Sequence, residues 1–286
     1  MLLKDTRVCI VGIGLMGGSL ALALRGKVAH LMGVDRHAAT RQYALREHVV
    51  DQVSDDLSLG IQMADLLILA TPVQTILNLL IDLPRLCPDG CLLFDLGSTK
   101  QTINATMGAL PTQFQAIGGH PMCGKETAGL LAADATLYQD QTFILTRNGR
   151  TTPTIEQLAL ELSATIGARP LFLDAVRHDR ITAAVSHVPY LISAVLMHQA
   201  AMLNDEYVWP VSASGFRDTS RLSGSDPRMM LDILLTNKTA VLDQLNHFQI
   251  TLAEISDLLI SKDETALAVW LTKAQQTYVD YRAHKE

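Results

Sequence analysis

The sequence predicts an α/β fold with a mostly parallel sheet, followed by an all-α C-terminal part. A glycine-rich turn at residues 12–17 lies between an apolar strand-like run and a segment with helical periodicity. Short apolar runs then alternate with helical segments, as they do in βαβ units. After Leu173 almost no strand pattern remains. These three observations indicate a Rossmann-like dinucleotide-binding domain, residues 1–173, and a helical substrate and dimerisation domain, residues 174–286.

The first domain is predicted to contain short strands separated by helices. The predicted strands are residues 7–11, 30–35, 65–70, 91–96, 115–118 and 142–146. The run at 65–70 is continuously apolar, which is typical of a parallel strand covered on both faces. Thr71-Pro72 follows it and opens a helix, because proline is tolerated at the first helical position. Two further helices are predicted at 15–25 and 38–48.

The second domain is predicted to be helical throughout. Residues 175–202 form one long periodic segment. Asp226 before Pro227 is the pattern of an N-cap followed by a proline at the first helical position, and it predicts a helix over 228–235. Helices over 239–260 and 263–284 follow. Their apolar stripes are typical of helices that pair across a two-fold axis, so we expect a homodimer.

Composition and charge limit the class of protein. With 286 residues, of which 48% are hydrophobic, the chain is long enough for two cores. The net charge is −6 and there is no run of Lys or Arg, which argues against a nucleic-acid partner. The apolar runs at 64–70 and 191–196 are too short to span a bilayer, and the first residues lack a signal-peptide pattern. We therefore expect a cytoplasmic protein without membrane contact.

The four cysteines give no sign of metal binding. Cys9, Cys87, Cys91 and Cys123 form no C-x-x-C pair and no Cys/His spacing typical of zinc. Cys9 and Cys91 lie in apolar strand-like runs, where a free thiol packs as a small hydrophobic group. We predict structural thiols and no metal site.

The glycine-rich turn has the spacing of a dinucleotide-binding site. Gly12 permits the tight turn, Gly14 lets the backbone approach a pyrophosphate, and Gly17 lets the helix pack close to the sheet. The free N–H groups at the helix N-terminus then face the phosphates. The predicted cofactor-binding residues of this turn are Gly12, Ile13, Gly14, Leu15, Met16 and Gly17.

An acidic residue follows at the distance that such a site requires. Asp35, at the end of the second predicted strand, is expected to accept hydrogen bonds from the adenosine ribose hydroxyls. A carboxylate there repels the additional phosphate of NADP, which favours NAD. The neighbouring Arg36 keeps NADP open as the alternative, because an arginine can bind that phosphate. Arg36 can also be interpreted as a solvated surface charge.

A candidate proton acceptor lies in a loop after a strand. His120 is held between Gly118-Gly119 and Pro121, on the side of the sheet where α/β proteins bind ligands. Histidine is the usual base at neutral pH, because its pKa lies near the operating pH. Ser98 follows another strand end, and its hydroxyl could bridge His120 and a substrate oxygen. Ser98 could equally be the N-cap of the helical segment that begins at Thr99-Lys100.

A second cluster offers groups for an acidic substrate. Arg221 lies near Arg217 and Asp218 in a Gly- and Ser-rich segment, and arginine binds carboxylates in a bidentate manner. An exposed salt bridge is the alternative role for Arg221. His178 and His187 lie about two and a half helical turns apart, on roughly opposite faces, so they cannot share one metal site. Together with the dinucleotide motif, these clusters indicate a nicotinamide-dependent dehydrogenase.

Five motifs in one order resemble the prephenate/arogenate dehydrogenases of tyrosine biosynthesis, over nearly the whole chain. They are Val11-Gly12-Ile13-Gly14-Leu15-Met16-Gly17-Gly18-Ser19, Gly97-Ser98-Thr99-Lys100, Gly118-Gly119-His120-Pro121-Met122-Cys123-Gly124, Ser186-His187-Val188-Pro189 and Gly215-Phe216-Arg217-Asp218-Thr219-Ser220-Arg221. The resemblance implies the oxidative decarboxylation of a cyclohexadienol that carries a ring carboxylate and a pyruvyl or alanyl side chain. It implies that His120, assisted by Ser98, takes the proton of the 4-hydroxyl while a hydride leaves the same carbon for the nicotinamide. Loss of the ring carboxylate as carbon dioxide then makes the ring aromatic.

The resemblance also implies roles for residues around the substrate. Arg221 matches the carboxylate-binding arginine of the family, and Asp218 lies in the same motif. His178 matches a histidine of the active-site cleft, and Thr71-Pro72 matches the loop against the nicotinamide. Many members have histidine where this chain has Tyr190, which can donate a hydrogen bond but carries no charge at pH 7. The missing cation favours the zwitterionic alanyl side chain of arogenate.

Two other interpretations compete with this one. β-Hydroxyacid dehydrogenases also pair a dinucleotide fold with a helical domain, but they generally use a lysine on the long interdomain helix, and residues 175–202 contain none. A sensor or scaffold that kept the fold and lost the chemistry would have a damaged catalytic set. Ser98, His120 and Arg221 are all present. We therefore expect a dehydrogenase that acts on prephenate, arogenate or both.

Overall fold

The computed structural model describes residues 2–125 and 127–285 and contains one eight-stranded sheet. Its strands are β1 Arg7–Val11, β2 His30–Val34, β3 Gln52–Ser54, β4 Leu66–Leu69, β5 Leu92–Asp95, β6 Gln115–Pro121, β7 Thr142–Thr146 and β8 Arg169–Phe172. Their order in the sheet is β3-β2-β1-β4-β5-β6-β7-β8. Neighbouring strands run parallel, except that β6 and β7 run antiparallel. The predicted mostly parallel sheet is confirmed.

Helices connect the strands and form the C-terminal part of the chain. They are α1 Leu15–Leu24, α2 Ala38–Arg46, α3 Leu57–Gln62, α4 Val73–Leu86, α5 Gln101–Gly108, α6 Pro153–Thr165, α7 Ala175–Thr182, α8 Val188–Met202, α9 Ser214–Ser220, α10 Pro227–Thr236, α11 Lys238–Ser261 and α12 Glu264–Lys285. After β8 no strand occurs in the described residues, so the predicted all-α part is confirmed. The carboxylate of Asp226 caps α10, accepting the N–H groups of Arg228 and Met229.

Five elements were not predicted: β3, α3, α6, β8 and α9. The two strands carry little of the apolar pattern that marks the centre of the sheet. β3 is three half-buried residues, and β8 is mostly exposed and contains Pro170, which an edge strand tolerates. Pro72 is the N-cap of α4 rather than its first residue, which corrects the predicted helix start by one position.

The sheet is covered on both faces by apolar cores. Successive side chains of β1 point to opposite sides, so Val8 and Ile10 join one core while Cys9 and Val11 join the other. Helices α1 and α6 contribute to the first core, and α4 and α5 contribute to the second. Burial on both faces is the reason that the central strands are continuous apolar runs in the sequence.

The strand order places a topological switch point beside β1. This strand pairs with β2 on one side and with β4 on the other. In open α/β sheets, ligands bind outside the carboxyl ends of the strands at such a point. The glycine-rich turn follows β1, Thr71 follows β4 and Ser98 follows β5. All three therefore lie at the same edge of the sheet.

The long helical segment after β8 is interrupted once. Helix α7 continues into a π-helical turn, Ala183–His187, and then into α8. By length and composition Ala175–Met202 could cross a membrane, although its apolar run at 191–196 is short. A core helix of a soluble protein meets the same criterion.

By internal contacts the chain divides into two compact units, Met1–Lys238 and Thr239–Glu286.

Candidate active site and dinucleotide cleft

The turn after β1 requires glycine at two positions. Gly12 has a φ of +89°, and a Cβ atom there would lie 2.8 Å from the carbonyl oxygen of Ala70. A Cβ atom on Gly17 would lie 2.0 Å from the carbonyl oxygen of Gly12. No other residue fits these contacts. Helix α1 therefore begins directly against the end of β1.

Gly14 leaves the surface of the turn open. A Cβ atom at this position would meet nothing within 4 Å. Gly14 is the N-cap of α1, and in the described part of the chain no side chain caps that helix. The N–H groups of the first turn, which begins at Leu15, are therefore available to an anion. An open backbone surface with available N–H groups fits a pyrophosphate.

Asp35 is fixed beside this turn. One carboxylate oxygen accepts the N–H of Ile13 at 3.2 Å, and the other accepts the N–H of His37 at 2.9 Å. The carboxylate thus lies next to the glycine-rich turn, where ribose hydroxyls are predicted. Arg36 is exposed, and its Nε lies 3.1 Å from Nε2 of His37. Its guanidinium contacts a neighbouring ring rather than Asp35.

Thr71 lies against the same turn. A Cβ atom on Gly12 would lie 2.7 Å from the Thr71 methyl group, so the two residues are in close contact. The Thr71 hydroxyl oxygen is buried and has no hydrogen-bond partner among residues 2–125 and 127–285. A buried polar group without a partner costs roughly 1–3 kcal/mol. This position therefore fits a polar group supplied by a bound dinucleotide.

Three side chains form a hydrogen-bonded chain that begins at His120. Nδ1 of His120 lies 2.8 Å from Nε2 of His178, and Nδ1 of His178 lies 2.7 Å from Oδ1 of Asp179. His178 and Asp179 are buried, whereas His120 is half-buried. His120 lies within β6, because the strand continues to Pro121, so the predicted loop position of His120 is wrong. The structure thus brings together two histidines that the sequence analysis treated separately.

Asp179 also holds the start of α5. Its Oδ1 accepts the N–H of Lys100 at 2.7 Å, and its Oδ2 accepts the N–H of Gln101 at 2.9 Å. The N-terminus of α5 is therefore capped by a carboxylate from α7 and not by Ser98, which corrects one of the two roles considered for that serine. Ser98 is half-buried, and Lys100 rather than Ser98 is the N-cap residue of α5.

The hydrogen-bond network assigns the proton positions. A carboxylate can only accept, so Nδ1 of His178 donates to Asp179. In neutral His178 the other ring nitrogen is then an acceptor, and Nδ1 of His120 donates to it. The remaining nitrogen, Nε2 of His120, carries a lone pair. This arrangement is that of a general base oriented by a second histidine and a carboxylate.

Burial keeps these rings neutral at neutral pH. It lowers the pKa of His120 well below its usual value, and the nearby His178 and Lys100 lower it further. Burial also lowers the pKa of His178, against the opposing effect of its hydrogen bond to Asp179. Neutral His120, the form that can accept a proton, is therefore the form present near pH 7.

The residues predicted to bind the substrate side chain lie on neighbouring elements. Arg221 begins a 3₁₀ turn, Arg221–Gly224. This turn packs on α8, where the hydroxyl of Ser193 accepts the N–H of Ser223 at 2.9 Å. Tyr190 is half-buried and precedes Ser193 by three residues, so both lie on the same face of α8.

Asp218 and His187 are engaged in other contacts. Asp218 is exposed, and its Oδ1 lies 3.2 Å from Nε of Arg217. His187 is buried in the π-helical turn, and its Nδ1 lies 3.2 Å from Nδ2 of Asn237. The same amide nitrogen donates to the carbonyl oxygen of Asp179 at 2.7 Å. Asn237 therefore connects His187 to α7, the helix that carries His178 and Asp179.

Comparisons with known proteins match nearly the whole chain. The family model of the prephenate dehydrogenase nucleotide-binding domain matches residues 20–171, and that of the prephenate dehydrogenase dimerization domain matches residues 174–273. A prephenate dehydrogenase of Bacillus subtilis (strain 168) is 34% identical over 291 residues, covering 98% of this chain and 76% of that protein.

Two crystal structures are similar over nearly their full length. One is prephenate dehydrogenase from A. aeolicus in complex with hydroxyphenyl propionate and NAD+, with a TM-score of 0.90, 26% identity, and coverage of 98% of this chain and 99% of that one. The other is Synechocystis arogenate dehydrogenase, with a TM-score of 0.81, 30% identity, and coverage of 96% and 99%.

The buried histidine of the π-helical turn predicts a loss of stability in acid. The pKa of His187 is lowered to about 4 by burial, whereas a histidine in an unfolded chain titrates near ~6.5. The unfolded state binds more protons between these values. The contribution of His187, about 3 kcal/mol, is therefore fully present above this window and is lost as pH falls through it.

Thermal unfolding measured across this pH window tests the assignment. We expect the Tm of His187→Gln to depend less steeply on pH than the wild-type Tm, because glutamine does not titrate. Equal slopes for the two proteins would contradict the assignment, whatever the absolute stability of the variant.

Proposed function

The chain belongs to the prephenate dehydrogenase family, and on that premise we propose that it catalyses an NAD-dependent oxidative decarboxylation in tyrosine biosynthesis. The substrate is prephenate, arogenate or both, and the product is 4-hydroxyphenylpyruvate or tyrosine. The hydrogen-bonded chain from His120 through His178 to Asp179 is the observation that carries the proposal. This chain supports the proposal because His120 lies at the sheet edge that also carries the glycine-rich turn, and oxidation of an alcohol needs a base and a hydride acceptor.

His120 is the proposed general base of the reaction. Its Nε2 accepts the proton of the substrate 4-hydroxyl as a hydride leaves the same carbon. The positive charge that develops on the imidazole ring of His120 is stabilised through His178 by the carboxylate of Asp179. Loss of the ring carboxylate as carbon dioxide supplies the electron pair that makes the ring aromatic, and the proton returns to the phenolic oxygen. We assign Ser98 to hold that oxygen.

NAD is the cofactor that we propose. When bound, NAD supplies the hydride acceptor, and the complex of a structural neighbour with NAD+ supports this choice. The N–H groups at the start of α1 would hold the pyrophosphate and Asp35 the ribose hydroxyls. Thr71 and Pro72 would border the nicotinamide end of the cleft. Arg36 keeps NADP as the alternative that the assay below tests.

Arg221 and Tyr190 are proposed to bind the acidic end of the substrate. The packing of the Arg221–Gly224 turn on α8 supports this, because it places both residues on adjoining elements. Asp218 is proposed to lie on the same side of the substrate. The sequence analysis expects His178 in the active-site cleft, around the substrate. Both of its ring nitrogens are engaged and its side chain is buried, so we assign it the orientation of His120 rather than contact with substrate.

We propose that the protein is a cytoplasmic homodimer without nucleic-acid or membrane partners. The match of residues 174–273 to a dimerization domain supports a second copy as partner. Large apolar side chains are exposed along α11 and α12, including Phe248, Leu271 and Tyr278, and a second copy would cover such a surface. The bounds of the family matches also support a domain boundary between residues 173 and 174.

A β-hydroxyacid dehydrogenase activity is not favoured. The prephenate dehydrogenase matches extend through both halves of the chain. The segment 175–202, which would have to provide a catalytic lysine, contains none.

The direct test is the formation of reduced nicotinamide by the purified protein with prephenate or arogenate, each paired with NAD or NADP. We expect turnover with at least one substrate and faster turnover with NAD. The acidic limb of kcat/KM should lie below about pH 6.5, because the pKa of His120 is lowered from that value. Absence of turnover in all four mixtures would overturn the proposed function.

Replacement of the base tests the role of His120. His120→Asn should lower kcat by roughly 10²-fold or more, the usual scale for loss of a general base, and leave NAD binding unchanged. The matched control is His48→Asn, because His48 is exposed and has a φ of 51°, a conformation that asparagine tolerates. Near-normal turnover by His120→Asn would remove it from the reaction.

Tyr190 is predicted to influence the choice between the two substrates. Tyr190→His introduces a group that can be cationic, so it should raise kcat/KM for prephenate relative to arogenate. The ratio of the two kcat/KM values measures this effect independently of any general loss of activity. An unchanged ratio would show that residue 190 does not set the preference.

A further inference from the structure

A fully buried ion pair lies beside His120 and takes no part in the proposed reaction. Nζ of Lys100 contacts Oδ2 of Asp95, and neither side chain has exposed surface. Removing two charges from water costs several kcal/mol per ion unless further hydrogen bonds compensate. The partners of this pair therefore indicate what it does.

The side chains of this pair form hydrogen bonds with both the N–H and the C=O group of one residue, Gly119. Nζ of Lys100 donates to the Gly119 carbonyl oxygen at 2.7 Å, and Oδ1 of Asp95 accepts the Gly119 N–H at 3.3 Å. The backbone pairing of β5 with β6 ends one residue earlier, at Asp95 opposite Gly118. The side chains thus continue the hydrogen bonding of the sheet beyond the paired strands, and the next residue is His120.

The absence of a side chain at residue 119 permits this contact. A Cβ atom on Gly119 would lie 2.6 Å from Cζ of Phe94 and 2.7 Å from the carbonyl oxygen of Asp95. The backbone before His120 is therefore packed closely against β5 as well as hydrogen-bonded to the ion pair.

Lys100 also contacts Asp179, the residue that orients His178. Its backbone N–H donates to Oδ1 of Asp179, the oxygen that lies 2.7 Å from Nδ1 of His178. We propose that Lys100 and Asp95 are positioning residues, which set the geometry between His120 and His178 from both ends. This role rests on the proposed function, because the geometry serves the proton transfer.

The ion pair also contributes to the charge around the base. The titratable groups that face His120 are His178 from α7, His187 from the π-helical turn and Lys100, and each lowers the pKa of His120. Removal of the Lys100 charge should therefore raise that pKa toward its usual value. A change in the pKa of His120 distinguishes a positioning role from a purely structural one, because a purely structural role would leave that pKa unchanged.

The double variant Lys100→Gln/Asp95→Asn tests the proposal, because it removes both charges together and keeps side chains of similar size. We expect kcat to fall at least tenfold, since a small displacement of a catalytic group has large effects on rate. KM and the Kd for NAD, measured by fluorescence titration, should stay within about twofold. In the single variant Lys100→Gln, which removes only the positive charge, the acidic limb of kcat should move to higher pH. Wild-type kcat with an unchanged pH profile would overturn the proposal.

An exposed ion pair at the opposite edge of the sheet provides the control for the loss of two charges far from His120. Arg7 and Asp65 pair at 2.7 Å at the amino ends of β1 and β4. Arg7→Gln/Asp65→Asn should leave kcat and the pH profile unchanged. If the Lys100 double variant does not fold, Asp95→Asn alone, which keeps Lys100, should still lower kcat severalfold without a change in KM, and wild-type kcat in that variant would overturn the proposal.

A readout without turnover separates this proposal from the proposed function. If the wild-type enzyme oxidises neither substrate, the proposed function fails. The ring of His120 can still be titrated by NMR, with its signal assigned by comparison with His120→Asn. A higher pKa in the single variant Lys100→Gln, which removes only the positive charge, supports the placement of Lys100 beside the ring, and an identical titration contradicts it.

Discussion

The buried carboxylate of Asp179 is the group on which the rest of the site depends. It accepts the N–H groups of Lys100 and Gln101 and thereby caps α5, the helix that follows β5. It also accepts the ring N–H of His178 and so determines which nitrogen of that ring faces His120. One carboxylate thus satisfies a helix N-terminus and orients the base, and its loss would leave both unsupported.

The carboxyl edge of the sheet brings the cofactor cleft and the base together. The turn after β1, Thr71 after β4 and Ser98 after β5 all lie at this edge, and His120 lies near the end of β6. Close backbone approach makes this arrangement possible, because side chains at Gly17 or Gly119 would collide with neighbouring backbone atoms. Burial lowers the pKa of His120, so that its ring is neutral and able to accept a proton near pH 7.

The sequence predicts the parts of the fold that have a strong local pattern. β1 and β4 are buried on both faces and appear as continuous apolar runs, whereas β3 and the exposed β8 do not. The contact between His120 and His178 joins residues 58 positions apart, which no spacing reveals. Asp179 adjoins His178, but neighbouring residues of a helix do not normally face each other. A fully buried lysine such as Lys100 is also contrary to the usual preference.

The measurement that tests the account most directly is the tautomeric state of His120 at neutral pH, determined by ¹⁵N NMR of the histidine-labelled protein without substrate. The hydrogen-bond chain to Asp179 predicts a neutral ring that is protonated at Nδ1 and unprotonated at Nε2. The Asp179→Asn variant should lose this strict preference, because an amide can also donate. A ring protonated at Nε2, or at both nitrogens, in the wild-type protein would contradict the role of His120 as the base.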